Sequence, residues 1–138
     1  MSNYITTTCT ITGPADDIER FKRAHIVGET DEQRTLDFGT VVPVPQHEFS
    51  EPTREWYYEN WGTGSNAWDF VVTLDEPGRL AFQFGTANAH PEPIFAKLAK
   101  MYPALLFSGE WIDDDDARRQ FRNGKPRLTL VSARPTIL

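Results

Sequence analysis

Apolar residues along this chain recur at two spacings, and the switches between them mark the elements. Over 4–11 they alternate: Ile5, Thr7, Cys9 and Ile11 share one side of an extended segment, and Tyr4, Thr6, Thr8 and Thr10 the other. The Thr- and Ile-rich composition predicts a strand with the first set facing inward. Gly13-Pro14 punctuates its end. Ile18, Phe21 and His25 then recur at helical spacing behind Asp16 and Asp17, whose charges suit a helix N-terminus, and Gly28 closes that helix. Residues 29–34 read as a polar loop. Leu36, Phe38 and Val41 predict a second strand over 36–42, stopped by Pro43 and Pro45, which cannot donate to a sheet ladder. A connector over 46–52 leads to a short helix, which Gly62 and Gly64 break. Trp68, Phe70, Val72 and Leu74 alternate, as do Leu80, Phe82 and Phe84, on either side of the turn-forming run 75–79. This predicts a hairpin with an aromatic layer on one face. After a loop at 85–89, Pro91 and Pro93 fit only the first turn of a helix whose stripe is Ile94, Phe95, Leu98, Met101 and Tyr102. Leu105, Phe107, Gly109 and Trp111 alternate in a further strand. Asn123-Gly124 is a turn dipeptide, expected to lead into a last strand through Leu128 and Leu130.

The order is strand-helix-strand, short helix, strand-strand-helix-strand and a C-terminal hairpin. A right-handed strand-helix-strand unit at each end predicts an α+β fold of the ferredoxin-like, split βαβ kind. Its mainly antiparallel sheet would carry two helices on one face, with an inserted aromatic helix-loop. The 138 residues suit one domain, 1–138, large enough to bury a core without cross-links.

Aromatic residues make up 12% of the chain, and three of its four tryptophans lie within 54–69. That stretch runs Arg54, Glu55, Trp56, Tyr57, Tyr58, Glu59, Asn60, Trp61, Gly62, Thr63, Gly64, Ser65, Asn66, Ala67, Trp68, Asp69. Trp56, Tyr57, Tyr58 and Trp61 cannot all occupy one helical stripe, so some rings cover the core and some lie near the surface. The stretch therefore reads both as a lid over one end of the core and as a recognition loop. In the second reading Tyr57, Tyr58, Asn60, Trp61, Thr63, Ser65 and Asn66 form the binding surface.

The run Glu59-Asn60-Trp61-Gly62-Thr63, followed by Asn66-Ala67, resembles the NWGTKWNA signature of the YubB-like family of plasmid and phage proteins, which carry a ferredoxin-like domain. Further similar segments flank it: Val42-Pro43-Val44-Pro45 upstream, Phe84-Gly85-Thr86-Ala87 and Pro91-Glu92-Pro93 downstream, and Met101-Tyr102-Pro103 at a helix end. The resemblance spans about 40–113. This chain departs from the signature at Gly64-Ser65, where the family has Lys-Trp, so any contact made by that lysine is missing. The family has no settled activity; the resemblance implies a fold and a mobile-element origin rather than a mechanism.

Charge narrows the partner. The formal net charge is −6 and the pI is near 5.0, which disfavours non-specific binding to nucleic acid. The concentrated positive charge is Arg118, Arg119, Arg122, Lys125 and Arg127, and pairing with the adjacent Asp113, Asp114, Asp115 and Asp116 is the simplest expectation for it. The aspartate run lacks the ligand spacing of a calcium loop. His25, His47 and His90 fall in separate segments without metal spacing, and His47-Glu48 lacks a nearby nucleophile. Gly62-Thr63-Gly64 lacks the strand-loop-helix context of a phosphate cradle. No cofactor is therefore expected, and an enzyme is the weakest reading. The single Cys9 suits a reducing compartment and a buried filler role, and no apolar run reaches membrane length, so a soluble cytoplasmic protein is expected. The leading functional expectation is a non-enzymatic interaction module that grips a protein partner through 54–69. The alternative is nucleic-acid binding through the sheet face, with Phe82 and Phe84 as stacking residues, or through 118–127.

Overall fold

The computed structural model describes residues 3–45 and 52–124. Five strands form one antiparallel sheet: β1 (Tyr4–Thr12), β4 (Trp68–Glu76), β5 (Arg79–Ala87), β6 (Leu106–Ile112) and β7 (Arg118–Asn123), in the order β4-β5-β1-β6-β7. A two-residue pair, β2 (Ile26–Val27) with β3 (Thr35–Leu36), makes a separate small hairpin. Three α-helices complete the chain: α1 (Ala15–His25), α2 (Arg54–Asn60) and α3 (Glu92–Met101). The protein is thus α+β with a mainly antiparallel sheet.

The alternation of β1 divides the sheet into two faces. Ile5, Thr7, Cys9 and Ile11 are buried, and they pair with Thr86, Phe84, Phe82 and Leu80 of β5. α1 and α3 both cover this face. Phe21 of α1 stacks on Phe82 and meets Phe107 edge-on, while Phe95 of α3 packs on Phe84 and Phe107. Full burial of each such ring stabilises the fold by roughly 1.5–3 kcal/mol relative to exposure, so this aromatic layer is the main source of cohesion. Cys9 is fully buried within it, and burial pushes its thiol pKa up, as an inert filler requires. The other face carries Tyr4, Thr6, Thr8 and Thr10, and among the described residues no helix lies over it.

Several expectations need correction. Phe82 and Phe84 lie under the helices with 0% and 1% exposure, so they are core residues and no base can stack on them. β4 does not keep Trp68, Phe70, Val72 and Leu74 on one side. Trp68 pairs with Gly85 but Val71 with Gln83, so an extra residue sits at Asp69, whose φ is 51°. A second shift separates Val72, opposite Phe82, from Leu74, opposite Ala81. Each bulge reverses the side of the following residues. Phe70 and Val72 therefore pack on the core, whereas Trp68 and Leu74 pair with residues of the uncovered face. Trp68 packs there against Tyr4, at 5.5 Å between ring centroids.

The expected strand over 36–42 is only the two residues of β3, followed by a 3-10 turn, Phe38–Thr40. Leu36, Phe38 and Val41 are nonetheless buried, because a turn delivers that spacing inward as well as a strand does. β5 runs to Ala87, through part of the predicted loop. Met101 is 42% exposed and does not belong to the buried stripe of α3. β6 and β7 pair across a turn at 113–117, and Asn123 is the last residue of β7; the expected hairpin beyond Asn123-Gly124 lies outside the described residues. Leu128 and Leu130 lie outside the described residues, as do His47, Glu48, Lys125 and Arg127. Among the described residues, no helix is long and apolar enough to cross a membrane.

Candidate functional site

α2 starts with Thr53 as its N-cap, whose hydroxyl accepts the Trp56 N–H at 3.2 Å. It ends at Gly62, whose φ of 80° reverses the chain; a Cβ there would collide with the ring of Pro93. Trp61 folds back from that end. It is 4% exposed, meets Phe38 edge-on at 5.6 Å, and donates its indole N–H to the Val42 carbonyl at 3.0 Å. Phe38 in turn packs on Phe84, so Trp61 is continuous with the aromatic core.

The loop after Trp61 compensates for a missing rung of the sheet. β4 first pairs with β5 at Gly85, which leaves Ala87 without a strand neighbour on that side. The Thr63 hydroxyl donates to the Ala87 carbonyl at 2.6 Å, joined by the Gly64 N–H at 3.3 Å, and the Ala87 N–H donates to the Ser65 hydroxyl at 3.0 Å. These bonds satisfy backbone groups that would otherwise lie unpaired near the core. Asn66 clips the same loop to the 3-10 turn. Its carbonyl accepts the Phe38 N–H and its amide donates to the Asp37 carboxylate, both at 2.9 Å. Asn60 donates to the Trp56 carbonyl one turn back at 2.9 Å.

The seven residues singled out from the sequence are thus brought together, but their polar atoms face two ways. Asn60, Trp61, Thr63, Ser65 and Asn66 spend their donors and acceptors on the protein itself. Trp56, Tyr57 and Tyr58 are half-buried, and no residue of α2 is fully buried. Tyr57 and Trp56 lean edge-on against Trp61, at 5.0 and 5.9 Å. The Tyr58 hydroxyl accepts from the Asn88 amide at 2.8 Å, and the Arg54 guanidinium lies over its ring at 5.5 Å. The result is a ridge of three part-exposed rings on a pinned base. Arg54 and Asn88 were not singled out; the spacing of Arg54 four residues before Tyr58 was the available signal.

The uncovered sheet face is the second candidate surface. Its middle is polar and small: Thr6, Thr8 and Thr10 beside Gln83 and Ser108. Tyr4 and Trp68 stand at one end, with the Tyr4 hydroxyl donating to Asp69 at 2.8 Å. Desolvation first, and then the Asp69 carboxylate, raises the pKa of that hydroxyl. At the other end β7 places Arg118, Gln120 and Arg122 opposite Ile112, Glu110 and Ser108, on this same face. Arg118 pairs with Glu110 at 2.5 Å rather than with the aspartate run. Asp113 instead accepts the backbone N–H groups of Asp115 and Ala117, and Asp114 that of Tyr4, which corrects the expected pairing.

Two buried histidines carry interactions that the sequence did not suggest. His25 lies between the Thr40 hydroxyl, 2.7 Å from Nδ1, and the Tyr102 hydroxyl, 2.8 Å from Nε2. Thr40 already donates to the Asp37 carbonyl, so it accepts from His25 Nδ1–H, and Nε2 accepts from Tyr102. The proton directions are fixed from both ends, and burial raises the pKa of the Tyr102 hydroxyl. His90 stacks flat on Trp111 at 4.1 Å and packs on Phe95 and Phe121. Its Nδ1 is 3.3 Å from the Thr7 hydroxyl, Nε2 has no partner among the described residues, and burial lowers its pKa to about 4. Among the described residues no three His, Cys, Asp or Glu side chains gather as a metal-holding group.

Compared with family models, curated proteins and solved structures, the chain matches none.

Proposed function

We propose that this protein is a cytoplasmic, non-enzymatic interaction module with a ferredoxin-like core, akin to the YubB-like proteins of plasmids and phages, and that it grips a protein partner through the α2 ridge. The strand order supports the ferredoxin-like reading. With the β2–β3 hairpin and β7 set aside, the units β1-α1-β4 and β5-α3-β6 interleave in one sheet, each with its helix on the same side. The central motif Asn60-Trp61-Gly62-Thr63 with Asn66-Ala67 supports the family reading, and it builds the base of the ridge.

The observation that carries the function is the combination of half-exposed Trp56, Tyr57 and Tyr58 with a base fixed by internal hydrogen bonds. Rigid aromatic side chains lose little entropy on binding and are frequent energetic anchors at protein interfaces. The test is a photo-reactive phenylalanine analogue placed at position 57 and, separately, at position 8 on the uncovered face, in cells that express the protein. A discrete cross-linked partner from position 57, lost with Tyr58→Ala in a chain of unchanged circular dichroism, is the expected result. Cross-links from position 8 alone would move the interface to the sheet.

A second reading has one observation in its favour. The sheet face and the basic segment, separate in sequence, form one surface, with Arg118 and Arg122 at one end and the Tyr4–Trp68 pair at the other. Single-stranded nucleic acid uses such a combination of cations and rings. Binding of a labelled oligonucleotide that weakens steeply with salt, and weakens further in Arg122→Gln, supports it. Absence of binding at low salt removes it.

A further inference from the structure

A cleft beside the β2–β3 hairpin has the chemistry of a ligand site. α1, the β2–β3 hairpin and the ends of β4 and β5 enclose about 280 Å3. Its apolar lining is Ile26, Val72 and Leu80; its charged lining is Lys22, Arg23 and Arg34 with Glu19 and Asp75. Three cations against two carboxylates make it locally positive on a protein whose net charge is −6.

The charges are not equivalent. Lys22 is held by Asp75 at 2.9 Å and by Glu19 at 3.1 Å, so its charge is spent on those two carboxylates. The resulting attraction raises the Lys22 pKa, first through Asp75. Among the described residues Arg34 pairs only with Asp31, at 4.0 Å, and the Asp31 side chain is 97% exposed. Arg23 forms no ion pair with another described residue. Two guanidinium groups therefore remain for a ligand, one from α1 and one from the hairpin. The hairpin is held close by Gly28, whose φ of 125° lets the chain pass against the Gln33 carbonyl where any Cβ would clash. That turn fixes the residues between β2 and β3, Arg34 among them.

We propose that this cleft binds a small amphiphilic anion: one carboxylate or phosphate held by Arg23 and Arg34, on a compact apolar body seated against Ile26, Val72 and Leu80. Guanidinium pairs suit planar carboxylate and phosphate oxygens, which they engage through two parallel N–H bonds. The size and mixed lining follow the usual form of small-molecule sites, an apolar floor with a few orienting polar groups. The site is independent of the α2 ridge, so the two stand or fall separately.

The test is an amide-resolved NMR titration of the full chain with phenyl phosphate and with benzoate, beside inorganic phosphate and benzyl alcohol. Saturable shifts centred on residues 23, 26, 28, 34 and 72 are expected for phenyl phosphate or benzoate, and whichever binds more tightly identifies the headgroup. Arg34→Gln and Arg23→Gln should each weaken that binding about tenfold, equivalent to about 1.4 kcal/mol, with the spectrum otherwise intact. Inorganic phosphate binding as tightly as phenyl phosphate would overturn the role of the apolar floor. Benzyl alcohol binding as tightly as benzoate, unchanged affinity in Arg34→Gln, or linear unsaturated shifts would each overturn the proposal as a whole.

Discussion

β1 and β5 share one hydrogen-bonded register but present two unlike faces. On one, Ile5, Thr7, Cys9 and Ile11 pair with Thr86, Phe84, Phe82 and Leu80 beneath two helices. On the other, Thr6, Thr8 and Thr10 stand beside Gly85, Gln83 and Ala81 with no described helix over them. The backbone is common to both, so the difference between them isolates what side-chain burial contributes. The covered face holds the stability of the molecule; the uncovered one is available for contact.

Substitutions matched across the two faces test this division. The largest effect belongs to the rings: Phe82→Ala or Trp61→Ala should each cost roughly 3–5 kcal/mol in urea denaturation, since each removes a fully packed aromatic side chain. Trp61→Ala also strips the Val42 carbonyl of its donor. Tyr57→Ala, on the ridge, should cost about 1 kcal/mol or less and act on partner binding instead. A Trp61→Ala midpoint near wild type would separate the ridge from the core and break the comparison. Next comes Gly62→Val, which forces a β-branched residue to a φ of 80° and against Pro93. It should cost about 2–3 kcal/mol by the same measurement.

Acid sharpens the contrast, because the covered face contains both described buried histidines. His90 titrates near 4 when folded, against about 6.5 for an unperturbed histidine. Between those values the unfolded chain holds a proton that the folded chain does not, so stability falls as pH drops from about 6.5 towards 4. The full loss from His90 is about 3 kcal/mol, and His25, also lowered by burial, acts in the same direction. His90→Phe should flatten this acid limb and keep the stacking area, at a cost of about 1 kcal/mol at pH 7 from the lost Thr7 contact. An unchanged acid limb would refute the assignment. The smallest effect is expected at Thr8→Ala, within about 0.5 kcal/mol, on the uncovered face.

How much of this was legible from the residues depended on how far each signal reached. Period alone placed β1, α1, β5, α3 and β6, because their apolar residues repeat without interruption. It failed at β4, where bulges at Asp69 and before Leu74 reverse the faces while the sequence still alternates smoothly. It failed at 36–41 because Leu36, Phe38 and Val41 are buried by a turn, and at β7 because Asn123-Gly124 outweighed the turn at 113–117 as a local signal. The aromatic stretch was legible as a unit. The direction of its polar groups was not, since the need of Ala87 for partners arises only once β4 is seen to stop at Gly85. The cleft between Arg23 and Arg34 depends on the tight Gly28 turn, and no spacing announces it.

The two bulges of β4 bear on the solubility of the protein as well as on its internal packing. An open sheet ends in strands whose outward N–H and C=O groups invite a second molecule to add on, edge to edge, without limit. β4 is one terminal strand of this sheet, and irregular pairing at two points along nine residues denies an incoming strand a continuous ladder. On the other side the last described strand, β7, is regular but carries Arg118, Arg119 and Arg122 among six residues, so a second copy docking there would set like charges against each other. One margin is guarded by shape and the other by charge. Deletion of Asp69 would therefore straighten the first half of β4 and lengthen the ladder open to a second copy, with Asp75 and Glu76 left as the like charges of that margin.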